Sequence, residues 1–350
     1  DPEGDNSPLA WSTSIDGWMN AIMNNSTLKI PPLYGQDCVH GVGTIKGCTV
    51  FPHNIGLGCT HDTALMAKIG RIVAAEAAGC GIRLNFAPCI ASPRNEKWGR
   101  TYEGFGETPE INSLMGSAYI RGLQGDGDLS KSNAVAACAK HYLGDGATTN
   151  GVNSSTANIS DATMRAVHLP QYAACGRENM ATVMPSYSQW IRNGQSFPQT
   201  TDSYTLTTIL KNQLGFDGFY VSDWDAIITT SGCTSYSNSC IASAINAGLD
   251  MTMIVTGANA TTYIQSIVNQ ADGAIPMSRI NDAVRRILRI KFRMNLWNHP
   301  TSDQNLRAQI NSAQSKATAR EAVRKSLVLL KNQNNALPLL KTEKVVVVGS

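Results

Sequence analysis

Short apolar segments alternate with longer stretches of helical periodicity along this chain. In residues 82–90, Ile82, Leu84 and Phe86 occupy every second position, which is typical of a β-strand. Further segments with the composition of strands occur at residues 29–37, 134–142, 181–187, 218–224 and 247–253. Pro31 and Pro32 make the first of these the weakest, because proline cannot donate to a ladder.

The intervening segments have the spacing of amphipathic helices. In residues 60–81, the positions Leu65, Ile69, Val73 and Ala77 share one helical face with Ile72 beside them. We expect Thr60 or Thr63 to cap that helix and Gly79 and Gly81 to end it. Further helices are predicted at residues 203–214, 278–296 and 319–333.

The alternation of strands and helices predicts parallel pairing and therefore an α/β fold. The length of 350 residues suits a (β/α)8 TIM-like barrel, which typically needs about 250 residues and often more. The pattern provides six strand candidates and not eight, so a doubly wound open sheet is the structural alternative. We predict a barrel over residues 1–318, a helix and linker over 319–342, and the first strand of a second α/β domain over 343–350. The chain is accordingly expected to be part of a longer protein.

Composition excludes some classes of function. A hydrophobic content of 42% is enough for a substantial core. A formal charge of +3 without a basic block gives no support for nucleic-acid binding. No apolar run approaches the roughly 18 residues that a membrane span requires, so no membrane partner is predicted.

Cysteines and glycosylation acceptors favour an oxidising compartment, and we expect a secreted or lysosomal or vacuolar glycoprotein. The chain has nine cysteines, many for a reduced cytosolic enzyme. Cys233 with Cys240, and Cys38 with Cys48, bracket short loops and are plausible disulfides, although spacing alone cannot fix the pairing. No C-x-x-C and no ligand-like histidine spacing is present, so neither a metal nor another cofactor is predicted. The N-x-S/T acceptors are Asn24, Asn25, Asn153, Asn158 and Asn259.

One predicted strand ends in acidic and aromatic residues. The apolar residues Phe219 and Val221 lead into Ser222-Asp223-Trp224-Asp225. In a parallel barrel the carboxyl ends of the strands face the active site. A carboxylate there can attack an anomeric carbon, and an indole can stack on a sugar face. An equally weighted alternative is that Asp223 caps the following helix.

Other predicted strands end in the same way. Lys140 and His141 follow an apolar run, Tyr187 follows Met184, and Asp37 follows the segment 29–36. A glycine-rich loop contributes Arg100, Glu103 and Glu107, any of which alone would usually be structural. A buried Lys140 would also suit a Schiff-base lyase or aldolase, which is a rival chemistry. A packed barrel interior prefers branched apolar residues, so polar residues at four strand ends indicate a site.

Six ordered motifs resemble glycoside hydrolase family 3, in its β-glucosidase and exo-β-glucanase branch. They are YGQDCVHG, FPHNIGLG, LNFAPCI with RNEKWGRTYE, CAKHYLGDG, MPSYSQW and GFYVSDWDA. The resemblance runs from about Tyr34 to the connector LVLLKNQNNALPL, which in that family leads into a second domain. It implies a retaining enzyme that releases glucose from the non-reducing end of β-glucosides or β-glucans without a cofactor.

The resemblance also implies a role for individual residues. Asp223 would be the nucleophile, and Asp37, Arg100, Lys140 and His141 would hydrogen-bond the terminal glucose. Tyr187 would orient Asp223, Met184 would line the pocket, and Trp224 would form a wall against the next sugar. Asp37 points to glucose, because the xylose-cleaving members tend to carry Glu there.

The resemblance also marks departures and an element outside this sequence. The family's Arg-Asp-Pro-Arg-Trp-Gly-Arg is here Arg94-Asn95-Glu96-Lys97-Trp98-Gly99-Arg100, so the support of that loop is in question. The Asp-x-His element of the N-acetylglucosaminidase branch is replaced by ATTNGVN, which excludes that branch. The acid/base glutamate would lie in the second domain of the same polypeptide. A non-catalytic sugar-binding barrel remains a further alternative.

Overall fold

The computed structural model describes residues 4–229 and 232–349. The strands are β1 (Gly35–Gln36), β2 (Leu84–Asn85), β3 (Ala136–Tyr142), β4 (Thr156–Ala157), β5 (Thr182–Pro185), β6 (Gln189–Arg192), β7 (Gln195–Pro198) and β8 (Phe219–Tyr220). The α-helices are α1 (Pro8–Asn25), α2 (Asn54–Gly58), α3 (Thr63–Gly79), α4 (Pro109–Leu123), α5 (Asp161–Thr163), α6 (Pro170–Gly176), α7 (Ala226–Thr229), α8 (Asn238–Ala247), α9 (Gly257–Gln270), α10 (Met277–Arg293), α11 (Gln304–Arg307) and α12 (Ala313–Ser326). Met164–His168 and Tyr204–Gln213 are π-helical.

A parallel sheet lies at the centre of the molecule, in the strand order β1-β2-β3-β5-β8. Met251 extends it by one parallel bridge to Val221. The α/β TIM-like class predicted from the sequence is confirmed. The described residues form five strands and one bridged segment of this sheet, and not the eight strands of the full barrel pattern.

Alternation along the strands separates an inner face from an outer face. Ala136 and Cys138 of β3 pack in an inner cluster with Phe219 of β8 and with Val221. Ala137, Ala139 and Tyr220 instead pack outward, against the helices. Continuing the same period of two places Lys140 and Asp223 on the inner face, at the carboxyl ends of their strands. The apolar pattern of the strands therefore positions the polar site.

Helix α10 forms hydrogen bonds to the segments that precede β8 and β1, the two outer strands of the sheet. Arg286 donates to the carbonyls of Phe216 and Gly218, just before β8, at 2.7 and 2.9 Å. Lys291 donates to the carbonyl of Pro31, just before β1, at 2.8 Å. Ile290 of this helix is 1% exposed and packs in the inner cluster. The helix thus fills the inner space at the end opposite to Lys140 and Asp223.

The remaining predicted helices form at or near their expected positions. The helix predicted at 60–81 is α3, but its N-cap is Asp62 and not Thr60 or Thr63. The Asp62 carboxylate accepts from the Leu65 N–H at 2.8 Å, a stronger cap than a neutral hydroxyl. The segment predicted at 278–296 is α10, and that at 203–214 is π-helical. The helix predicted at 319–333 forms only in part, since α12 begins earlier, at Ala313, and ends at Ser326, and residues 327–332 are not helical.

Two predicted strands are not formed as expected. In the segment 247–253, α8 continues to Ala247, and Ser222 Oγ rather than a strand carbonyl accepts from the Met253 N–H at 2.8 Å. Only Met251 therefore pairs as a strand residue. The strand predicted at 343–350 is absent from residues 343–349, where Val347 is 93% exposed and no described strand lies alongside to pair with it. The proposed division into domains stays a prediction.

One of the two predicted disulfides forms. Cys233 and Cys240 are bonded, whereas Cys38 and Cys48 are both free thiols. The predicted Cys38–Cys48 bond does not form, because spacing in sequence does not determine which thiols pair. Among the described residues, no helix has both the length and the apolar character needed to cross a bilayer.

Candidate active site

Lys140 and Asp37 meet across the carboxyl ends of β3 and β1. The Lys140 Nζ donates to Asp37 Oδ1 at 2.5 Å. Lys140 is 4% exposed, and burial is the largest single effect and opposes its charge. The charge of Asp37 and its hydrogen bond, with smaller effects of Cys89 and Cys138, together raise the pKa of Lys140. The ammonium group therefore stays charged inside the fold and can donate to a polyol beside Asp37.

His141 lies at the centre of a buried hydrogen-bond chain. Its Nδ1 is 2.9 Å from Asp145 Oδ2, and its Nε2 is 3.2 Å from the Arg100 guanidinium. Because a carboxylate accepts at Nδ1 and a guanidinium can only donate, the proton belongs on Nδ1 and the lone pair on Nε2. Burial, followed by the charges of Arg100 and Lys140, lowers the pKa of His141 to about 3. His141 is therefore a neutral imidazole at neutral pH.

Asp145 is the buried acceptor that fixes this imidazole. It lies four residues after His141, in a turn that begins at Gly144 with φ +85°. Burial raises the pKa of Asp145 to about 6, and the charge of Arg100 opposes that rise. Sequence analysis missed this residue, although the His-x-x-x-Asp spacing was a usable signal.

Arg100 is held by a bidentate contact. Its Nε and a terminal nitrogen donate to the two carboxylate oxygens of Glu103 at 2.9 and 2.8 Å. Burial opposes the guanidinium charge, but Glu103 outweighs burial and raises the pKa of Arg100. The loop that departs from the family pattern is supported locally, since Asn95 accepts from the Lys97 N–H and Trp98 donates to Asn153. Arg100 thus keeps a fixed direction towards His141.

Asp223 lies next to the imidazole. Its Oδ2 is 3.6 Å from His141 Nε2, and its side chain is 15% exposed. Its Oδ1 accepts from the N–H of the adjacent Trp224 at 2.7 Å. An N-cap instead reaches the second or third residue beyond it, so this contact differs from the capping alternative. The backbone N–H of Trp224 therefore fixes Oδ1 of Asp223, and Oδ2 faces His141.

Aromatic residues surround Asp223. The Tyr187 hydroxyl donates to the carbonyl of Trp224, and burial followed by the charge of Asp223 raises the pKa of Tyr187. Met184 is 3% exposed and packs in the inner cluster, while the Trp224 ring is 58% exposed. The three residues therefore differ in exposure: Met184, the predicted lining residue, is buried; Tyr187, the predicted orienting residue, is half-buried; and Trp224, the predicted wall, is exposed.

Asp225 is a second residue that sequence analysis missed. It adopts φ +49° and its Oδ1 accepts from the Tyr236 hydroxyl at 2.7 Å and from the Val255 N–H at 3.1 Å. These bonds attach the turn after β8 to the loop beyond Met253. The second Asp of the S-D-W-D motif is thus a structural anchor for the first.

One group of possible metal ligands exists among the described residues. The ligand atoms of Cys89, His141 and Asp145 all lie within 4.8 Å of one another and are buried. His141 Nδ1 already bonds Asp145, and the Arg100 guanidinium contacts the other ring nitrogen. The positive charge of Arg100 disfavours a divalent cation at this position.

The comparisons with known proteins agree on one family. A family model described as the N-terminal domain of glycosyl hydrolase family 3 matches residues 10–290. The chain is 32% identical over 342 residues to the lysosomal beta glucosidase of Dictyostelium discoideum, an alignment that covers 94% of this chain and 41% of that protein. It is 31% identical to a periplasmic beta-glucosidase of Salmonella typhimurium, covering 94% of this chain and 42% of the relative. The chain thus spans less than half the length of these relatives.

Solved structures give the same picture. The exo-1,3/1,4-beta-glucanase of a Pseudoalteromonas species superimposes with a TM-score of 0.88 at 38% identity, covering 97% of this chain and 43% of that one. A beta-glucosidase from Listeria innocua in complex with glucose superimposes with a TM-score of 0.85 at 29% identity, covering 96% of this chain and 45% of that one.

Proposed function

Because this chain belongs to glycoside hydrolase family 3, we propose that it carries the nucleophile and the terminal sugar subsite of a retaining, exo-acting β-glucosidase or exo-β-glucanase. The observation that carries the proposal is the position of Asp223, which lies on the inner face at a strand end with Oδ2 3.6 Å from His141 Nε2. Lys140, Arg100 and Asp37 provide charged groups around the same end of the sheet.

In the proposed first step, Asp223 Oδ2 attacks the anomeric carbon and the bond to the leaving oxygen breaks. The bond from the Trp224 N–H to Oδ1 fixes the direction of the carboxylate and leaves Oδ2 as the attacking atom. The transition state resembles an oxocarbenium ion, and the product is a glycosyl-aspartate ester that water later hydrolyses.

The ion pair of Lys140 with Asp37 would bind the sugar hydroxyls. One hydroxyl would replace Arg100 as the donor to Nε2 of the neutral His141. Charged donors and acceptors make stronger hydrogen bonds to hydroxyls than neutral groups do. Asp37 is the more accessible partner, since its side chain is 58% exposed and that of Lys140 is 5% exposed. We propose glucose as the bound sugar, and a β-xyloside as the substrate against which this preference should be measured.

A retaining hydrolase also needs an acid/base carboxyl group about 5–5.5 Å from the nucleophile. We propose that a glutamate outside these residues, in a second domain of the same polypeptide, supplies it. The proposed environment is secreted or lysosomal, supported by the Cys233–Cys240 disulfide and by relatives named as lysosomal and periplasmic. Four of the five N-x-S/T acceptors, Asn259 excepted, are exposed and available for glycosylation.

The rival Schiff-base chemistry is disfavoured by the state of Lys140. A Schiff-base lysine must lose its proton before it attacks a carbonyl. Here Asp37 raises the pKa of Lys140 and accepts its hydrogen bond. Borohydride trapping with a carbonyl substrate should therefore leave Lys140 unmodified.

Substitution of the nucleophile tests the proposal. Asp223→Asn should fold normally and lower the turnover of 2,4-dinitrophenyl β-glucoside by about a thousandfold or more, because the amide cannot form the ester. That leaving group departs without protonation, so the assay isolates the nucleophile from the acid. Asp272→Asn, an exposed residue in a surface turn, is the matched control and should retain full turnover. Retained activity in Asp223→Asn would contradict the proposal.

A further inference from the structure

The loop after β1 is attached to the last turn of α3 through Thr49. Its N–H and its hydroxyl donate to the two carboxylate oxygens of Glu76, each at 2.7 Å. Glu76 is 3% exposed and also accepts from the Asn311 N–H at 3.0 Å. These buried charge-assisted bonds fix the position of residues 48–50 relative to the helix.

Cys48 precedes Thr49, and Cys80 follows Glu76 by four residues. Residues four apart on a helix lie on the same face, so Cys80 continues the face that Thr49 contacts. Cys48 packs against the core cluster that contains the fully buried Cys80. The neighbouring Cys80 raises the pKa of Cys48, in keeping with this proximity. Both are free thiols in the structure.

Cys38 is the third thiol in this region but is less well placed. Its backbone is bound on both sides by Asn85, whose side chain accepts from the Cys38 N–H at 2.9 Å and donates to its carbonyl at 3.0 Å. The Tyr119 hydroxyl donates to the same carbonyl at 3.1 Å. Thr49, next to Cys48, is instead bonded twice to Glu76, one helical turn before Cys80. Cys80 also affects the pKa of Cys48 more strongly than Cys38 does. The geometry therefore favours Cys80 as the partner of Cys48.

We infer that Cys48 and Cys80 form a second disulfide when the protein folds in an oxidising compartment. The two thiols release two protons and two electrons to a small disulfide such as oxidised glutathione, whose S–S bond is cleaved to two thiols. The existing Cys233–Cys240 bond indicates that the protein folds where such an oxidant is present. Because Cys80 is fully buried in the folded protein, an oxidant reaches this pair during folding and not afterwards.

The bond would attach the segment that carries Asp37 to α3. It would close a loop of about 30 residues, for which chain-entropy reasoning predicts a gain in Tm of about 5 °C. Neither cysteine contacts the proposed sugar subsite, so activity at low temperature should not depend on the bond. The inference is independent of the proposed enzymatic function.

Counting the free thiols on the peptides of residues 1–350 in the oxidatively expressed protein tests this inference. Nine cysteines less two bonded pairs leave five thiols in the denatured, unreduced protein. Cys48→Ser should show six thiols, because Cys80 is released, whereas the control Cys59→Ser should show four, because Cys59 is an exposed free thiol. Seven thiols in the wild type would overturn the inference.

Peptide mapping and melting provide a second readout if a variant folds poorly. Mass spectrometry of the alkylated, unreduced wild type should detect the Cys48 peptide linked to the Cys80 peptide. A link from Cys38 to either residue would overturn the assignment. The Tm of Cys48→Ser should fall by about 5 °C relative to Cys59→Ser without reductant. With reductant present the two variants should melt within about 1 °C of each other, and a persistent difference would indicate a packing effect and count against the disulfide.

Discussion

At the scale of single residues, the function of His141 depends on a neighbour that makes no sugar contact in our proposal. Asp145 accepts at Nδ1 and so leaves Nε2 free to accept from Arg100. Without that carboxylate the imidazole could adopt the other tautomer, and two donors would then face each other. Asp145 is therefore a positioning residue for the cluster around Asp223.

Asp145→Asn should lower kcat/KM for an aryl β-glucoside by about tenfold to a hundredfold. A hydrogen bond to a charged group contributes about 1.5–3 kcal/mol, and 1.36 kcal/mol corresponds to a factor of ten in rate. Steady-state kinetics with circular dichroism of the folded variant measures the effect. Asp161→Asn, which removes an exposed carboxylate paired with Arg165, is the control and should leave kcat/KM unchanged. Equal kinetics for the two variants would contradict the role of Asp145.

His168 should determine part of the acid sensitivity of the fold. It is 2% exposed, and burial lowers its pKa to about 4. An unfolded histidine binds a proton below about pH 6.5, whereas the folded one does not until about pH 4. Stability is thus retained above pH 6.5 and lost as the pH falls towards 4.

Chemical unfolding at pH 7 and pH 5 measures this contribution. On lowering the pH, wild type should lose roughly 2 kcal/mol more unfolding free energy than His168→Gln, which does not titrate. The comparison between the two proteins removes the contributions of other groups that both share. An identical pH dependence would contradict a neutral, buried His168.

The roles of individual residues were partly predictable from sequence. The apolar residues Phe219 and Val221 predicted a strand that ends near Asp223, and the run before Lys140 predicted a strand end there. Both residues lie at the carboxyl ends of their strands in the structure. Asp145 and Asp225 were both missed, for different reasons. The His-x-x-x-Asp spacing could have indicated Asp145. The partners of Asp225, Tyr236 and Val255, are distant in sequence, and hydrophobic periodicity does not report such contacts.

At the scale of elements, α10 contributes apolar side chains to the interior of the sheet, as the strands do. Its residues contact the segments before β8 and before β1, and Ile290 enters the inner cluster. The sequence predicted the helix. It could not predict which inner space the helix would fill, since periodicity describes a face and not its partner.

Truncation in α10 should distinguish inner from outer positions. Ile290→Ala should lower the free energy of unfolding by about 2–5 kcal/mol, because it leaves a cavity in a close-packed cluster. Val284→Ala on the same helix is 47% exposed and should cost less than about 1 kcal/mol. Urea unfolding of both variants provides the measurement. Similar losses for the two would show that α10 does not fill the interior.

The strands were predicted to be longer than they are. Residues 247–253 have the apolar composition of a strand, yet only Met251 pairs, because the side chain of Ser222 accepts the bond from Met253. A side-chain oxygen can compete with a strand carbonyl for a backbone N–H, and amino-acid composition does not reveal which of the two accepts. Composition also predicted a strand at 343–349, but no strand among the described residues pairs with this segment.

At the scale of the whole molecule, separate strands converge on one end of the sheet with charged groups, and α10 fills the other end. The α/β class followed from the alternation of strands and helices, and the family followed from six motifs in the expected order. The number of strands could not be predicted from the sequence, since barrel closure depends on long-range packing. The acid/base group and the preference for glucose are properties of the whole protein and remain proposals.

Covalent labelling of Asp223 tests the central claim most directly. The protein is incubated with 2,4-dinitrophenyl 2-deoxy-2-fluoro-β-glucoside, whose fluorine slows hydrolysis of the ester and whose leaving group needs no acid. We predict one fluoroglucosyl adduct per chain, located by peptide mass mapping on the peptide that contains Asp223. An adduct on any other peptide, or none with folded protein and excess reagent, would contradict the account.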